Sequence, residues 1–449
     1  MTPTSWLRLV VLVLVLLSSA PAQESVLTLE QAIDLALQGN RKIQSARLAV
    51  ERNDHLLQAA EAQRLPSFSL QANHQRQLED QNFVFQQGSL GTYSIGPIPS
   101  QDTVVAVLSG SITTYQAQVA QPLTGLYKLN LGVDLQQGEL EVAREEEHLQ
   151  RLQTVLEVRS AYYALLDTQS GLVAARDGVE FLTELERVMG EFVREKVALK
   201  ADLLEVQARR LEAQAQVLQL ENALQTRCEQ LNLLLGRELA TRFSVVDPLV
   251  TRRPSPPLES LQQKALSGRP ELRQADIRVQ QAEQQRDLKA ADWIPDVNLA
   301  FQYQRFSDSG ILPDQVISVG LQAEWEPWDW GRRGHQAAAH SAGLEAARRS
   351  QAEARDQIVL EVNAKYRQLS ELRAGEAAAR VAREAAEERL RVATSRFLLK
   401  AALLKDVLEA QAQLSRAQRD YRKVVLDCAT AEAELERAVG QPLAEGGAP

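Results

Sequence analysis

In the stretch VISVGLQAEWEPWDWGRR, residues 316–333, the alternating pattern of a strand stops within a few residues and the pattern of a helix start follows. Up to Trp325, apolar residues alternate with polar or small ones, which predicts a strand with one apolar face. PDVNLAFQYQ, residues 295–304, alternates in the same way, and SDSGILPD between them favours a hairpin turn. Two more tryptophans, a glycine and two arginines then follow. The quoted stretch therefore predicts the end of a strand, an aromatic cluster and the start of a helix.

The chain that contains this stretch has an internal sequence duplication. LEQAIDLALQGNRKIQSARLAV, starting at Leu29, is similar to LESLQQKALSGRPELRQADIRV, starting at Leu258. The first half also offers weaker strands near residues 68–73 and 113–121. Such a repeat indicates two copies of one structural plan. Each half is predicted to contain a helix, two strands and a long helical hairpin, so the fold class is mainly α with a small β part.

Prolines bound the helical parts of both halves. None occurs between Pro122 and Pro248 or between Pro327 and Pro442, and both spans have helical composition. We expect continuous helices over 128–196, 201–236 and 258–293. A seam of small and apolar residues spaced by three and four, from Val407 to Ala438, is typical of a coiled coil and predicts a buried thiol at Cys428.

These patterns divide the chain into five predicted segments. The first is a secretory signal peptide with a small-x-small cleavage pattern, and the third is a linker rich in proline and arginine. The strands of each repeat are expected between its two aligned prolines. The segments are a signal peptide 1–22, a first repeat 23–247 with strands within about 66–122, a linker 248–257, a second repeat 258–440 with strands within about 295–327, and a tail 441–449.

Composition and charge restrict the partners. The net charge is −9 and the charges are interspersed, which argues against nucleic acid. After the leader, no apolar run approaches the roughly 18–20 residues of a transmembrane helix. HExxH, GxSxG, Walker A and CxxC motifs are absent from the sequence, so we expect neither an enzyme nor a bound metal or cofactor.

An exported chain without a membrane helix can still cross a membrane through strands. Transmembrane strands are apolar towards lipid, polar towards the lumen and flanked by aromatic residues at the interfaces. A half-buried soluble hairpin would alternate in the same way, but it leaves the tryptophans unexplained. The interpretation as a membrane-interface belt places Arg332 and Arg333 beyond it in water. The predicted belt consists of Trp293, Trp325, Trp328 and Trp330.

Four strands are too few to close a barrel, because single-chain outer-membrane barrels begin at about eight. Open strand edges cannot face lipid. The membrane interpretation therefore predicts an oligomer in which each copy supplies a sector.

The sequence also resembles a known family. EPWDWGRR after an alternating strand is similar to the strand-to-helix junction of TolC-like outer-membrane efflux proteins, and ADLLEVQARRLEAQ and KDVLEAQAQLSRAQ are similar to segments of its helical hairpins. The resemblance implies a homotrimer with a twelve-stranded barrel in outer-membrane lipid and a helical barrel through the periplasm. It implies a passive export duct for efflux or type I secretion. Its implied partners are a periplasmic adaptor protein and an inner-membrane pump of the RND, ABC or MFS type.

The resemblance assigns roles to the two hairpin tips, where this chain has lysine at positions that often hold glycine in the family. It places adaptor contacts at Lys196, Val197, Ala198, Leu199, Lys400, Ala401, Ala402 and Leu403. Two acid pairs follow, Asp202 with Glu205 and Asp406 with Glu409. The second pair matches the position where the family lines its periplasmic aperture with acids. The alternative is helix capping, with Asp as the cap and Glu at the third helical position.

A second function stays open at this point. The coiled-coil spacing alone would also suit a periplasmic or surface scaffold protein that forms no channel. Such a scaffold should wash off membranes with carbonate or urea, whereas an integral barrel should require detergent.

Overall fold

A computed structural model describes most of the chain. The predicted signal peptide, most of the linker, Lys400 and most of the C-terminal tail lie outside the described residues. The structure describes residues 25–76, 78, 81–108, 111–247, 256–307, 313–399 and 401–441.

The described residues are predominantly helical, and the two halves contain corresponding elements. Each half has a pair of shorter helices followed by two strands and a hairpin of two long helices. In the first half the helices are α1 Leu29–Gly39, α2 Arg41–Ala62, α3 Gly125–Arg194 and α4 Lys200–Leu235. In the second half they are α5 Leu258–Gly268, α6 Pro270–Ala290, α7 Arg332–Leu398 and α8 Leu404–Val439. This confirms the predicted fold class of long helices with a small β part.

The prediction of one helix over 258–293 is wrong. The chain breaks at Arg269, whose backbone is extended, and a 3₁₀ turn, Ala291–Trp293, follows α6. The break has a local cause, because the proline ring at position 270 disfavours helical geometry in the preceding residue. Proline itself is suited to the first position of the next helix.

Two of the long helices end at glycines with a left-handed backbone. Gly236 after α4 has a φ of +71°, and Gly440 after α8 has a φ of +78°. A Cβ added to Gly236 would lie 2.1 Å from the carbonyl oxygen of Gly39. Glycine is therefore required at position 236 both by the backbone conformation and by the close approach of α1.

The principal sheet has four antiparallel strands, β2 Ser67–Arg76, β7 Ser111–Pro122, β9 Asp296–Ser307 and β10 Gln315–Glu324. They are hydrogen-bonded in the order β10-β9-β7-β2. All four lie where the sequence predicts strands. Each half contributes two neighbouring strands, and the halves meet where β7 pairs with β9.

The insert between β2 and β7 contains further short strands that sequence reasoning did not predict. The insert folds back on itself as a hairpin, with Phe83 opposite Val105 and Val84 opposite Val104. Its strands are β3 Gln81–Phe85, β4 Thr92–Tyr93, β5 Gly96–Pro97 and β6 Thr103–Leu108.

A second missed feature is a small parallel pair of strands, β1 Ser25–Leu27 and β8 Phe243–Val245. Tyr162, a fully buried residue of α3, lies beside it. Its hydroxyl is 2.9 Å from the carbonyl oxygen of Leu27 and 2.8 Å from that of Val246. Burial raises the pKa of Tyr162. Three segments far apart in sequence are thereby joined through one side chain.

The chain divides into two compact units, each containing segments of both halves. The first unit combines residues within 1–49, 144–273 and 352–449, and the second combines 50–143 and 274–351. In the first unit, the seam from Val407 to Ala438 is buried or half-buried, as its spacing predicts, and Cys428 is buried. The second unit contains the four-stranded sheet. Among the described helices, none combines the length and apolar character required to cross a membrane.

Candidate functional site: the sheet, the aromatic junction and the hairpin tips

One face of the four-stranded sheet is apolar and open over the part of the strands nearer the helices, and Arg305 lies beyond that part. Antiparallel partners point to the same side, so the register places Phe68, Val119 and Phe301 in one row across three strands. Val319 continues that row on β10. Phe68 is 66% exposed and Val319 is 72% exposed. A continuous apolar surface of this kind marks contact with lipid or with another protein.

The aromatic junction follows the end of β10. Trp325 comes directly after the strand, and Trp328 and Trp330 precede α7, with their rings 6.0 Å apart in a T-shaped arrangement. Trp293 precedes β9, whose first residue Asp296 pairs with the last residue of β10. All four indoles are more than half exposed. They therefore cluster at the end of the strands next to the helices, where the sequence places them.

The structure corrects the position of one arginine beside them. Arg332 is exposed as expected, but the side chain of Arg333 is only 7% exposed. Its guanidinium lies 5.3 Å from the Trp293 ring, 3.3 Å from a carboxylate oxygen of Asp329 and 3.0 Å from one of Glu326. Burial of a guanidinium is compatible with stability when carboxylates compensate its charge. The two arginines of the quoted stretch thus have different surroundings.

Asp329 organises the start of α7. Its carboxylate accepts hydrogen bonds from the backbone N–H groups of Gly331 at 3.1 Å and Arg333 at 3.0 Å. Burial acts to raise the pKa of Asp329, but these N–H groups and the nearby guanidinium outweigh it, so the pKa is lowered. The backbone at Trp330 and Gly331 is left-handed. The turn is therefore held in one conformation by the Asp329 carboxylate. This aspartate is the first residue of the sequence DWGRR, residues 329–333.

The corresponding junction of the first half has different chemistry. The Thr124 hydroxyl lies 2.6 Å from the carbonyl oxygen of Pro295 and accepts a bond from the N–H of Val297 at 2.8 Å. Lys128 pairs with Asp296 at 2.9 Å. The start of α3 is thus tied to the start of β9. The local sequence QPLTGLYK, residues 121–128, gives no sign of this contact, because its partners lie about 170 positions further along the chain.

The hairpin tips belong to the first unit. Residues 195–199 connect α3 to α4, and 399–403, of which Lys400 lies outside the described residues, connect α7 to α8. Lys196 has a φ of +62°, a conformation that favours glycine. Val197, Leu199 and Leu403 are exposed. Behind the tips, Phe192 and Phe397 lie 5.8 Å apart in a cluster that joins the two hairpins.

The acid pairs follow the tips, but their capping geometry differs from the expected one. Asp202 and Asp406 are at the third helical position, with Leu199 and Leu403 as the N-cap residues. Their carboxylates accept the N-cap N–H at 3.2 Å and 3.1 Å, respectively. Glu205 and Glu409 therefore lie one turn further on and are not the capping acids. Glu409 is instead 3.6 Å from Lys405, and both side chains are exposed.

Beside Asp406 and Glu409 is an open groove of about 670 Å³ between α7 and α8. Glu388, Arg389 and Arg396 also line it, and the Arg389 guanidinium donates a bond to Gln413 at 2.6 Å. Sequence reasoning missed these arginines, although their spacing of seven residues places them on one helix face. Within the described ranges, no group of three or more His, Cys, Asp or Glu side chains is arranged to hold a metal ion.

An exposed apolar sheet face, a tryptophan cluster at one end of its strands and paired long helical hairpins together define the class of outer-membrane channel proteins. The chain belongs to the outer membrane efflux protein family, whose model matches residues 32–237 and 261–441. This confirms an outer-membrane efflux channel as the function and the outer membrane as the location. No individual curated protein matches the chain at a significant level of sequence similarity.

Solved structures share the fold. The outer membrane protein VceC from Vibrio cholerae is 18% identical, with a TM-score of 0.75 over 93% of this chain and 97% of that chain. The Campylobacter jejuni CmeC outer membrane channel is 14% identical, with a TM-score of 0.77 over 93% and 87% of the two chains. The Neisseria gonorrhoeae MtrE outer membrane channel, in its open state, is 17% identical, with a TM-score of 0.71 over 92% and 89%.

Proposed function

We propose that three copies of this chain form a passive export duct, with each copy supplying β2, β7, β9 and β10 to one twelve-stranded barrel. The two repeats, 23–247 and 258–440, each supply two of these strands. In this proposal the helical hairpins form a periplasmic tunnel. The duct receives solutes from an inner-membrane pump of the RND, ABC or MFS type through a periplasmic adaptor.

The observation that carries the proposal is the sheet itself. Its edge strands are β2 and β10, and three successive antiparallel pairings separate them, so these two edges run in opposite directions. Identical copies can therefore join β2 of one to β10 of the next and continue the antiparallel pattern. Closure in this way removes the open strand edges, whose backbone N–H and C=O groups would find no hydrogen-bond partners in lipid. The apolar face is then turned to lipid and the opposite face to the lumen.

The proposed trimer also assigns roles to the tryptophan belt and the hairpin tips. Trp293, Trp325, Trp328 and Trp330 would lie at the membrane interface that borders the helices. The tips at 196–199 and 400–403 would contact the adaptor, because their exposed Val197, Leu199 and Leu403 offer apolar surface without a described partner element. Asp202, Glu205, Asp406 and Glu409 would contribute to the aperture.

Disulfide trapping between copies tests the assembly. Gln71→Cys on β2 is combined in turn with Ser318→Cys, Gly320→Cys or Gln322→Cys on β10, all on the same face of the sheet. Scanning three positions covers the unknown register between copies, since a disulfide requires Cα atoms about 4.4–6.8 Å apart. Oxidation of membranes should give covalent dimers and trimers in denaturing gels, and the ladder should stop at three.

Leu70→Cys, which faces the other side of the sheet, is the matched control and should form no ladder with the same β10 partners. Failure of all three β10 positions to crosslink with Gln71→Cys, in protein that requires detergent for extraction, would overturn the closed trimer. A ladder that extends beyond three would also overturn it. Release by carbonate or urea would instead support the scaffold hypothesis.

The adaptor contact has its own test. A photoreactive residue at position 197 should crosslink to a periplasmic adaptor in cells, whereas the same residue at exposed position 218 on α4 should not. Equal crosslinking at both positions would contradict a contact confined to the tips.

A further inference from the structure

The face of the sheet opposite the apolar one has an unusual composition. The register aligns Ser69, Gln118, Gln302 and Ser318 in one row across all four strands. The next row aligns Gln71, Gln116 and Gln304, with Val316 on β10. Five glutamines from three strands thus form one continuous patch, which we call the amide band: Gln71, Gln116, Gln118, Gln302 and Gln304.

The amide band contains no charged side chain. Within the four described strands, the charged residues on this face are Asp296 and Glu324, which oppose each other at the end next to the helices. Asp296 is moreover paired with Lys128 at 2.9 Å. Two rows separate the amide band from these acids: a row of small residues, Ser67, Ala120, Ala300 and Gly320, and a row of uncharged residues, Pro122, Asn298 and Gln322.

The amides of the band contact one another. Gln304 donates a hydrogen bond to the side-chain oxygen of Gln116 at 3.4 Å, and Gln116 donates one to Gln118 at 3.5 Å. Four of the five side chains, those on the two inner strands, are half-buried. Each amide has two donors and an acceptor with two lone pairs, so every one of them retains bonding capacity towards a solute.

We propose that the amide band is the surface that permeating solutes contact within the membrane, and that it is indifferent to the sign of their charge. This inference rests on the proposed function, in which this face lines the lumen. The class of ligand is a polar or amphiphilic solute with hydrogen-bonding groups, either cationic or anionic. Fixed charges in a narrow passage concentrate ions of the opposite sign, and the amide band lacks such charges. Discrimination by charge is then set by residues outside the strands.

Insertion of a charge into the band tests this directly in planar bilayers under a salt gradient. Gln302→Glu should raise the cation-to-anion permeability ratio about twofold or more, and Gln302→Lys should lower it comparably. The change should shrink between 0.1 M and 1 M salt, because the Debye length falls from about 10 Å to about 3 Å. Gln302→Asn, which shortens the amide without charge, is the matched control and should leave the ratio unchanged.

Two further variants distinguish a failure of the protein to assemble from a lack of effect on ion selectivity. Gln118→Glu repeats the test from a neighbouring strand if Gln302→Glu fails to assemble. Val319→Lys places the charge on the apolar face and should reduce the amount of assembled protein rather than alter its selectivity. Conducting trimers with an unchanged ratio in Gln302→Glu, Gln302→Lys and Gln118→Glu would overturn the amide band while leaving the channel intact. Absence of conductance from wild-type protein would instead overturn the proposed duct.

Discussion

The substitution Asp406→Asn tests whether Asp406 only caps the first turn of α8 or also lines the periplasmic aperture. The Asp406 carboxylate accepts the N–H of Leu403 at 3.1 Å in the first turn of α8. The side-chain oxygen of asparagine can accept the same bond, so only the negative charge is lost. A charge near a helix N-terminus is worth about 0.3–1 kcal/mol, and the lower end applies to an exposed residue such as this one.

Stability should therefore change little. A loss near 0.3 kcal/mol per chain corresponds to a shift of no more than about 2 °C in the thermal midpoint. Asp202→Asn is the matched control, because Asp202 holds the N–H of Leu199 in the same way at 3.2 Å. Heat denaturation followed by circular dichroism should give similar small shifts for both variants.

Ion selectivity tests the aperture role of Asp406 separately from its capping role. If Asp406 lines the aperture, its neutralisation removes three carboxylates from a narrow passage and lowers the local concentration of cations. Asp406→Asn should then reduce cation selectivity in planar bilayers and weaken block by multivalent cations added on the periplasmic side. An intact conducting trimer with wild-type selectivity and block would refute this role and leave Asp406 as a helix-capping residue.

Four further predictions follow from other sites. Trp325→Ser with Trp328→Ser should lower the heat resistance of the trimer in detergent, because anchoring at the membrane interface is lost. Far-UV helicity should stay nearly unchanged, because the substitutions lie outside the helices. Arg269→Met should destabilise the protein to denaturant by about 3–5 kcal/mol, since this buried arginine contacts two carboxylates and the Ala438 carbonyl. Lys196→Gly should raise the thermal midpoint slightly, by relieving a left-handed conformation worth about 1 kcal/mol, and Lys196→Ala should not. The lowered pKa of Asp329 gives stability above its ordinary pKa of about 3.9 that is lost as pH falls through the folded value. Asp329→Asn should therefore flatten the acid limb of a thermal-midpoint profile below about pH 4, and an unchanged acid limb would contradict that role.

Local patterns in the sequence were sufficient for the principal elements. Alternation over 295–304 and 316–326 depends on neighbouring residues alone, and it located β9 and β10. The proline-free spans likewise predicted the helical hairpins, because proline excludes the helix interior wherever it occurs. The duplication predicted matching elements in both halves. The concentration of tryptophan at one end of the strands was visible for the same reason, since strand ends and their flanks are adjacent in sequence.

Tertiary structure decided the features that depend on residues far apart in the chain. Arg333 is buried because Trp293 lies over it, about forty positions earlier in the sequence. β1 could not be predicted, because a three-residue strand is stable only beside its partner at Phe243–Val245. The amide band likewise exists only through the register between strands. The sequence by itself therefore determined which elements form and which face of each is apolar, since these follow from local period. Only the tertiary structure decided which side chains meet, because contacts between distant segments have no signature in the sequence of either segment.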